Sequence, residues 1–329
     1  MRLTLSTFTT RLVLGGLLIF AAACGTTPTP PPTPVTVQLS YTHQAQFAGF
    51  YAADQNGDYA REGLVVTFVE GGSGINQLDA LASGKAQFSV QPAEQVILAR
   101  SEGRPAVAIA AIFRRSPRVY VAMANSGITR PEDFVGKTIA VSQGSRPQLA
   151  AILRQVGVGE GQYTLVEPSS DLAQLISGEV DVRAVWLTNE VLKLKSAGND
   201  LAIIYPDDYG IHNYADTIAT SQDLLSTNPD LLLRFLRATL QGWSYAVEHP
   251  DDTGALVLMY NSRADPVFEV AQMTASLPLI NTGEDFIGWM KPAIWEGMER
   301  TLREQGVLSA PVDVTQAYTL RFLEEIYAP

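Results

Sequence analysis

Cysteine is nearly absent from this sequence: Cys24 is the only one among 329 residues, which excludes a disulfide scaffold. Histidine is scarce as well. His43, His212 and His249 are too scattered to give a zinc or iron signature, so no metal is predicted. Basic residues are outnumbered, 23 Lys and Arg against 34 Asp and Glu, giving a formal charge of −11. That balance argues against nucleic acid as a partner and against docking on anionic lipid through a basic patch. No Lys-Ser/Thr pair follows Gly71-Gly72-Ser73-Gly74, so this run is not a phosphate loop, although its N–H groups can face an anion. No nucleophile motif stands out, and no catalytic residue or cofactor is predicted.

Long apolar runs are also rare, and the greasiest, Leu12 to Phe20, is too short to span a bilayer comfortably. Arg2 and Arg11 precede it and Ala21, Ala22 and Ala23 follow, the order of a secretory signal peptide over residues 1–23. Small residues leading into Cys24 resemble a bacterial lipobox, which implies cleavage before Cys24 and a lipid anchor on its thiol. An ordinary secreted protein with an incidental cysteine is the alternative. After Cys24, residues 24–36 alternate proline with threonine and predict an extended polyproline II spacer. Losing the leader removes two arginines and moves the formal charge from −11 to −13. The expected place of the chain is the outer face of the cell membrane, lipid-anchored.

From Val37 short strands alternate with amphipathic helices, which predicts an α/β protein with parallel βαβ units. Val37, Leu39 and Tyr41 alternate as a strand, Phe50 to Tyr59 reads as a helix and Leu64 to Val69 as a buried strand. A helix is predicted from Gly74 to Leu81, and another through Leu149, Ile152, Leu153 and Val156 that stops at Gly157. Asn228-Pro229 reads as the cap and first turn of a long helix with Leu232, Phe235, Leu236, Thr239, Trp243 and Val247 on its buried stripe. Residues Val66 to Val90 and Tyr163 to Val185 share one order, strand, Glu, turn, helix, Ser-Gly, strand. Such a repeat predicts two similar lobes facing one another across a cleft. Ligands of open parallel sheets sit beyond the carboxyl ends of strands, so Gly71 to Asn76, Gln91 to Glu94, Pro168 to Asp171 and Trp186 to Glu190 are candidate walls.

Ser40-Tyr41-Thr42-His43, Gly49-Phe50-Tyr51-Ala52-Ala53, Gly57-Asp58-Tyr59 and Glu62-Gly63-Leu64 resemble the opening of ThiY-like solute-binding proteins, the ABC-importer family related to thiamine-pyrimidine uptake. Asp133 to Ile139, Gly178 to Val182 with Trp186 and Glu190, and Trp289, Trp295 and Gln305 to Leu308 are similar to later segments of that family. Within it the chain looks most like the riboflavin-binding RibY branch. The resemblance implies a two-lobed type II periplasmic-binding-protein fold with a hinge and interlobe cleft. Lobe 1 is placed at 37–124 plus 210–329 and lobe 2 at 125–209, with crossings near Asn125 to Gly127 and Tyr209 to Ile211. It also implies a monomer that captures a vitamin, riboflavin first, and delivers it to a membrane permease. Formylaminopyrimidine or an alkanesulfonate is the alternative ligand. Fungal enzymes of the same superfamily form thiamine pyrimidine from their own histidine. Gln95 stands at that place here and Gly210 to Thr217 lacks their cysteines, which disfavours synthase chemistry.

A flavin needs aromatic faces, amide or hydroxyl partners and no strong anion clamp. Tyr41, Phe47, Phe50, Trp186 and Tyr214 are candidates for the faces; Thr42, Gln44, Gln46, Gln91, Ser145, Asn189 and Asn213 are candidates for the hydrogen bonds. Most aromatics in such a set serve the core instead. His43 reads as a ring contact or a satisfied hydrogen-bonding group. Glu190 is the candidate directional anchor and equally suits a helix-start carboxylate favoured by the dipole; Glu94 has the same two readings.

Overall fold

The computed structural model describes residues 31–72, 74–169 and 171–328. The predicted signal peptide, Cys24 and the predicted spacer up to residue 30 lie outside the described residues, as do Ser73 of the glycine loop and Ser170. Among the described residues no helix is long and apolar enough to cross a membrane.

Alternating and continuous apolar runs become strands in two five-stranded sheets. β1 (Thr33–Gln38), β2 (Leu64–Val69), β3 (Phe88–Gln91) and β4 (Ala106–Phe113) build the first. β5 (Arg118–Met123), β6 (Thr138–Ala140), β7 (Thr164–Val166), β8 (Val182–Trp186) and β9 (Leu201–Ile204) build the second, and β10 (Ala215–Ser221) returns to the first. The orders are β2-β1-β3-β10-β4 and β7-β6-β8-β5-β9. In each sheet the first three strands are parallel, and the fourth, β10 or β5, runs antiparallel to its neighbours.

Helices cover the faces of both sheets. α1 (Ala48–Gln55) and α2 (Asp58–Arg61) occupy the stretch where the apolar pattern predicts one helix. Gly57, at φ 74°, divides them, a left-handed conformation that glycine adopts without steric cost. α3 (Gln77–Ala82) begins later than predicted because Asn76 caps it, its side chain accepting the Leu78 N–H at 3.0 Å. α4 (Ala93–Ser101) follows β3, and α5 (Arg146–Gln155) ends just before Gly157 at φ 80°. α6 (Ala173–Ile176), α7 (Glu190–Ser196) and α8 (Gln222–Thr227) lead to α9 (Pro229–Glu248), and α10 (Thr253–Leu258), α11 (Pro266–Ile280), α12 (Pro292–Glu304) and α13 (Arg321–Ile326) complete the chain. The sequence repeat is therefore structural: β2–α3–β3 and β7–α6–β8 hold equivalent places in the two sheets.

α9 is the spine of the first lobe. Asn228 caps it through the Leu231 N–H, and Leu232, Phe235, Leu236, Thr239 and Trp243 are buried. Phe235 stacks on Phe88 of β3 with ring centroids 3.7 Å apart. β4 is buried along its whole length, the pattern of a strand covered on both faces.

Four expectations shift. β1 starts at Thr33, inside the predicted spacer 24–36; Thr33 N–H bonds the Gly63 carbonyl at 2.8 Å, while β3 reaches β1 only at Val37 and Gln38. The nitrogen of Pro34 faces the β3 side where no strand is paired, so its missing N–H costs no ladder bond. The strand also stops before Tyr41, which lies past its end and is 48% exposed. β2 is an edge strand rather than a buried one, with Val65 and Val69 exposed. Finally, β5 belongs to the second sheet, so the first crossing falls at Ser116-Pro117 and not at Asn125 to Gly127. The proline there ends the β4 run and lets the following apolar stretch join the other sheet.

α1 and α9 cross closely at Gly49, where an added Cβ would overlap the Trp243 indole. Gly49→Ala is expected to destabilise the protein by about 1–3 kcal/mol through overpacking, read as a lower urea midpoint at unchanged slope.

Candidate ligand-binding site

The carboxyl ends of β1, β3 and β8 and the first residues of β10 converge on one cavity of about 260 Å³ between the two sheets. Ser40, Tyr41, Gln44, Gln46, Gln77, Pro92, Asp216, Gln272 and Ser276 face it from the first lobe. Trp186, Thr188, Asn189 and Glu190 face it from the second.

Local hydrogen bonds fix each wall. Gly71 N–H bonds the Tyr41 carbonyl at 3.0 Å and Gln77 Nε2 donates to the Ser40 carbonyl at 3.2 Å. A Cβ on Gly71 would run into the Leu39 and Ser40 backbone, so a glycine is required for this close approach. Across the cavity, Leu187 N–H bonds the Pro117 carbonyl at 2.8 Å and Glu190 Oε2 accepts the Trp186 N–H at 3.0 Å. Glu190 opens α7, as a helix-start carboxylate does, and also lines the cavity. The half-buried Trp186 indole packs against the core of the first lobe.

Asp216 has the most unusual environment. It is 2% exposed, and its Oδ1 accepts from Gln46 Nε2 at 2.8 Å and from Ser40 Oγ at 3.2 Å. Its Oδ2 has no hydrogen-bond partner. Burial pushes its carboxyl up to about 7, opposed by the two donors. Among the described residues it alone, apart from glycines, has a left-handed φ, 46°. No Lys or Arg is among the described lining residues, so the wall carries two carboxylates set among neutral amides, hydroxyls and aromatic faces.

Of the predicted site residues, Tyr41, Trp186, Asn189, Glu190, Gln44 and Gln46 line this cavity. The others are placed elsewhere. Phe47 and Phe50 are buried in the core of the first lobe. Thr42 is exposed beyond the rim. His43 binds the Tyr51 hydroxyl through Nδ1 at 2.8 Å, sits against the Tyr51 and Tyr260 rings, and is held below its ordinary pKa by burial. Gln91 turns into the sheet, accepting from Ser89 Oγ at 2.6 Å and donating to the Thr217 carbonyl at 3.2 Å. Ser145 pairs with Ser142 Oγ at 3.0 Å. Tyr214 is buried beside Trp295, and its hydroxyl accepts the Lys291 N–H at 2.7 Å. Asn213 and Glu94 line a much smaller space beside Arg118. Sequence reasoning missed Ser40, Asp216, Gln77, Gln272 and Ser276. Asp216 alone left a signal, a carboxylate in the otherwise uncharged stretch Asn213 to Ser221.

Two five-stranded sheets with a polar, aromatic-walled cavity between them define the two-lobed fold of the periplasmic-binding type. The profile of the family described as NMT1/THI5 like matches residues 44–253, and the chain belongs to that family. It is 28% identical to the riboflavin-binding protein RibY of Chloroflexus aurantiacus, over 93% of this chain and 95% of that protein. It is 27% identical to the formylaminopyrimidine-binding protein of Halalkalibacterium halodurans, over 87% of this chain and 89% of that one. The solved aliphatic sulphonate binding protein SsuA of Escherichia coli superposes with a TM-score of 0.70 at 17% identity, covering 87% of this chain and 92% of that one, and shares the fold.

The Asp216 carboxyl titrates higher in the folded protein than in the unfolded chain. Its burial therefore costs nothing below the unfolded pKa near 4, and stability is lost as pH rises through about 7. Asp216→Asn should raise the unfolding free energy of the ligand-free protein at pH 8 by on the order of a few kcal/mol. Thermal melts should show this gain shrinking to nothing as pH falls toward 4.

Proposed function

We propose that this chain is the lipid-anchored binding component of an ABC importer on the outer face of the membrane, and that it captures riboflavin. The observation that carries the ligand assignment is the cavity wall. An indole from one lobe faces amides and hydroxyls from the other, and no cation stands among the described lining residues. An isoalloxazine ring offers a flat face to Trp186 and Tyr41, polar edges to the amides and an uncharged tail. The likeness to a named riboflavin-binding protein over nearly the whole of both chains supports the same ligand. The role requires no chemical step: the two lobes close about their crossings on the ligand, and the permease reads the closed form.

A second ligand has its own support. At about 260 Å³ the cavity lies just below the ~300–1,000 Å³ of ordinary small-molecule sites, and a single pyrimidine ring fills it with less opening than a three-ring flavin. The formylaminopyrimidine-binding relative points the same way. An alkanesulfonate suits this wall poorly, since Glu190 and Asp216 would face its negative charge without a cation to offset them.

Protein lacking residues 1–24, titrated with riboflavin, should quench flavin fluorescence. No quenching together with tight formylaminopyrimidine binding would assign the pyrimidine instead. Trp186→Ala should weaken binding about tenfold or more, and unchanged affinity would remove this residue from the site. Cys24→Ser should release the protein from the cell membrane into the soluble extracytoplasmic fraction, and continued membrane retention would refute the anchor.

A further inference from the structure

We propose that Asp216 is the specificity-determining anchor of the cavity: its free oxygen takes an N–H or amino group on the edge of the bound heterocycle and turns away ligands bearing negative charge there. This rests on the reading of the interlobe cavity as the ligand site. The recognised class is a neutral or cationic heterocycle with donors on its rim.

The geometry separates the two oxygens of one carboxylate. Oδ1 is fully engaged by Gln46 and Ser40, both cavity-lining residues, and Gln46 is itself oriented by Gln44 Nε2, which donates to its Oε1 at 2.6 Å. Oδ2 is left without a partner although the residue is almost wholly buried. A carboxylate serving only the fold would be expected to meet a cation or a full set of donors, because a buried unpaired oxygen is costly. Asp216 has neither, and it adopts a left-handed backbone conformation at the first residues of β10, against the cavity. A ligand donor is the partner that completes this set. Glu190, on the opposite lobe, offers a second acceptor, so a ring with donors on two edges would tie the lobes together.

The same geometry fixes a pH signature. Titratable groups on the elements packed around β10 are Asp79 on α3, Glu94 and Arg100 on α4 and Asp223 on α8; Tyr41 and Glu190 share the cavity wall. None of them is hydrogen-bonded to Asp216, whose bonded neighbours are neutral. With the free carboxyl titrating at about 7, a ligand that donates to it favours the ionised form. Its affinity rises with pH through about 7 and then levels. A ligand that accepts from it would show the opposite slope.

The test uses full-length protein in detergent micelles, with riboflavin and formylaminopyrimidine as probes, titrated at several pH values from about 5.5 to 8.5, spanning the Asp216 midpoint. Whichever probe binds the wild type should bind Asp216→Asn about tenfold or more weakly. Wild-type affinity should rise across that range, and the variant's should not. A thermal midpoint of the variant at or above that of the wild type excludes misfolding as the cause. Equal affinity in the variant, or affinity that falls with pH in the wild type, overturns the anchor. If neither probe binds the wild type, the vitamin assignment fails separately. The anchor is then read by thermal shift with neutral amino-heterocycles and their sulfonated counterparts. Stabilisation by the amino members that is lost in Asp216→Asn supports it; stabilisation by the sulfonated members, or by none, overturns it.

Discussion

In each sheet the fourth strand is the first to follow a crossing, and this placement is the constraint on which the site depends. β5 leaves the β4 run to lie beside β8, and β10 returns to lie between β3 and β4. Both are antiparallel to their neighbours, so their first residues stand beside the carboxyl ends of the preceding parallel strands. Arg118 is in register with Trp186, and Thr217 with Gln91. Each lobe's wall residues are therefore set by pairing within its own sheet, and neither lobe alone encloses the cavity. The strands that tie the halves together also place Asp216 at the wall.

Stability comes from elsewhere. The first lobe is consolidated by the Phe88–Phe235 stack, by Trp243 and Trp295, and by a β4 without an exposed side chain. The second carries a smaller apolar cluster on each face of its sheet. With this core in place, the cavity tolerates features that would otherwise be liabilities: an unpaired carboxylate oxygen, a strained backbone angle and a half-buried indole spanning the lobes. On the proposed role, a ligand relieves the first and covers the last. Local instability at the wall is the expected counterpart of selective capture.

What could be read in the sequence was what depends on local periodicity. Asn228-Pro229 and the apolar stripe located α9, and the shared order of the two βαβ segments located equivalent strands in two sheets. The turn after β8 was legible because a strand end and a helix start fall within five residues, bringing Trp186, Asn189 and Glu190 into the cavity together. Polar residues at other strand ends were ambiguous: Gln91 and Glu190 look alike as letters, yet one side chain turns into the sheet and the other toward the ligand space. Asp216 left only its isolated charge as a signal, because its position depends on β10 running antiparallel, a long-range pairing that no local pattern encodes. Similarly, Thr33 and Pro34 read as spacer, since only the one-sided pairing of β1 makes a proline acceptable there.

The crossing itself is polar. Arg118, the first residue of β5, approaches Glu94 in the first turn of α4 with N to O at 3.8 Å, both side chains largely buried. Burial raises the Glu94 carboxyl, the Arg118 charge opposes this, and Glu94 Oε2 has no hydrogen-bond partner. A contact this long attracts without the directional hydrogen bonds that would lock a geometry. Charge attraction weakens gradually with distance, whereas a hydrogen bond breaks within a fraction of an ångström. A pair of this kind suits a joint between lobes, restraining separation while permitting rotation. On the proposed role, the ligand's own contacts then choose the closed arrangement, and closure reports occupancy.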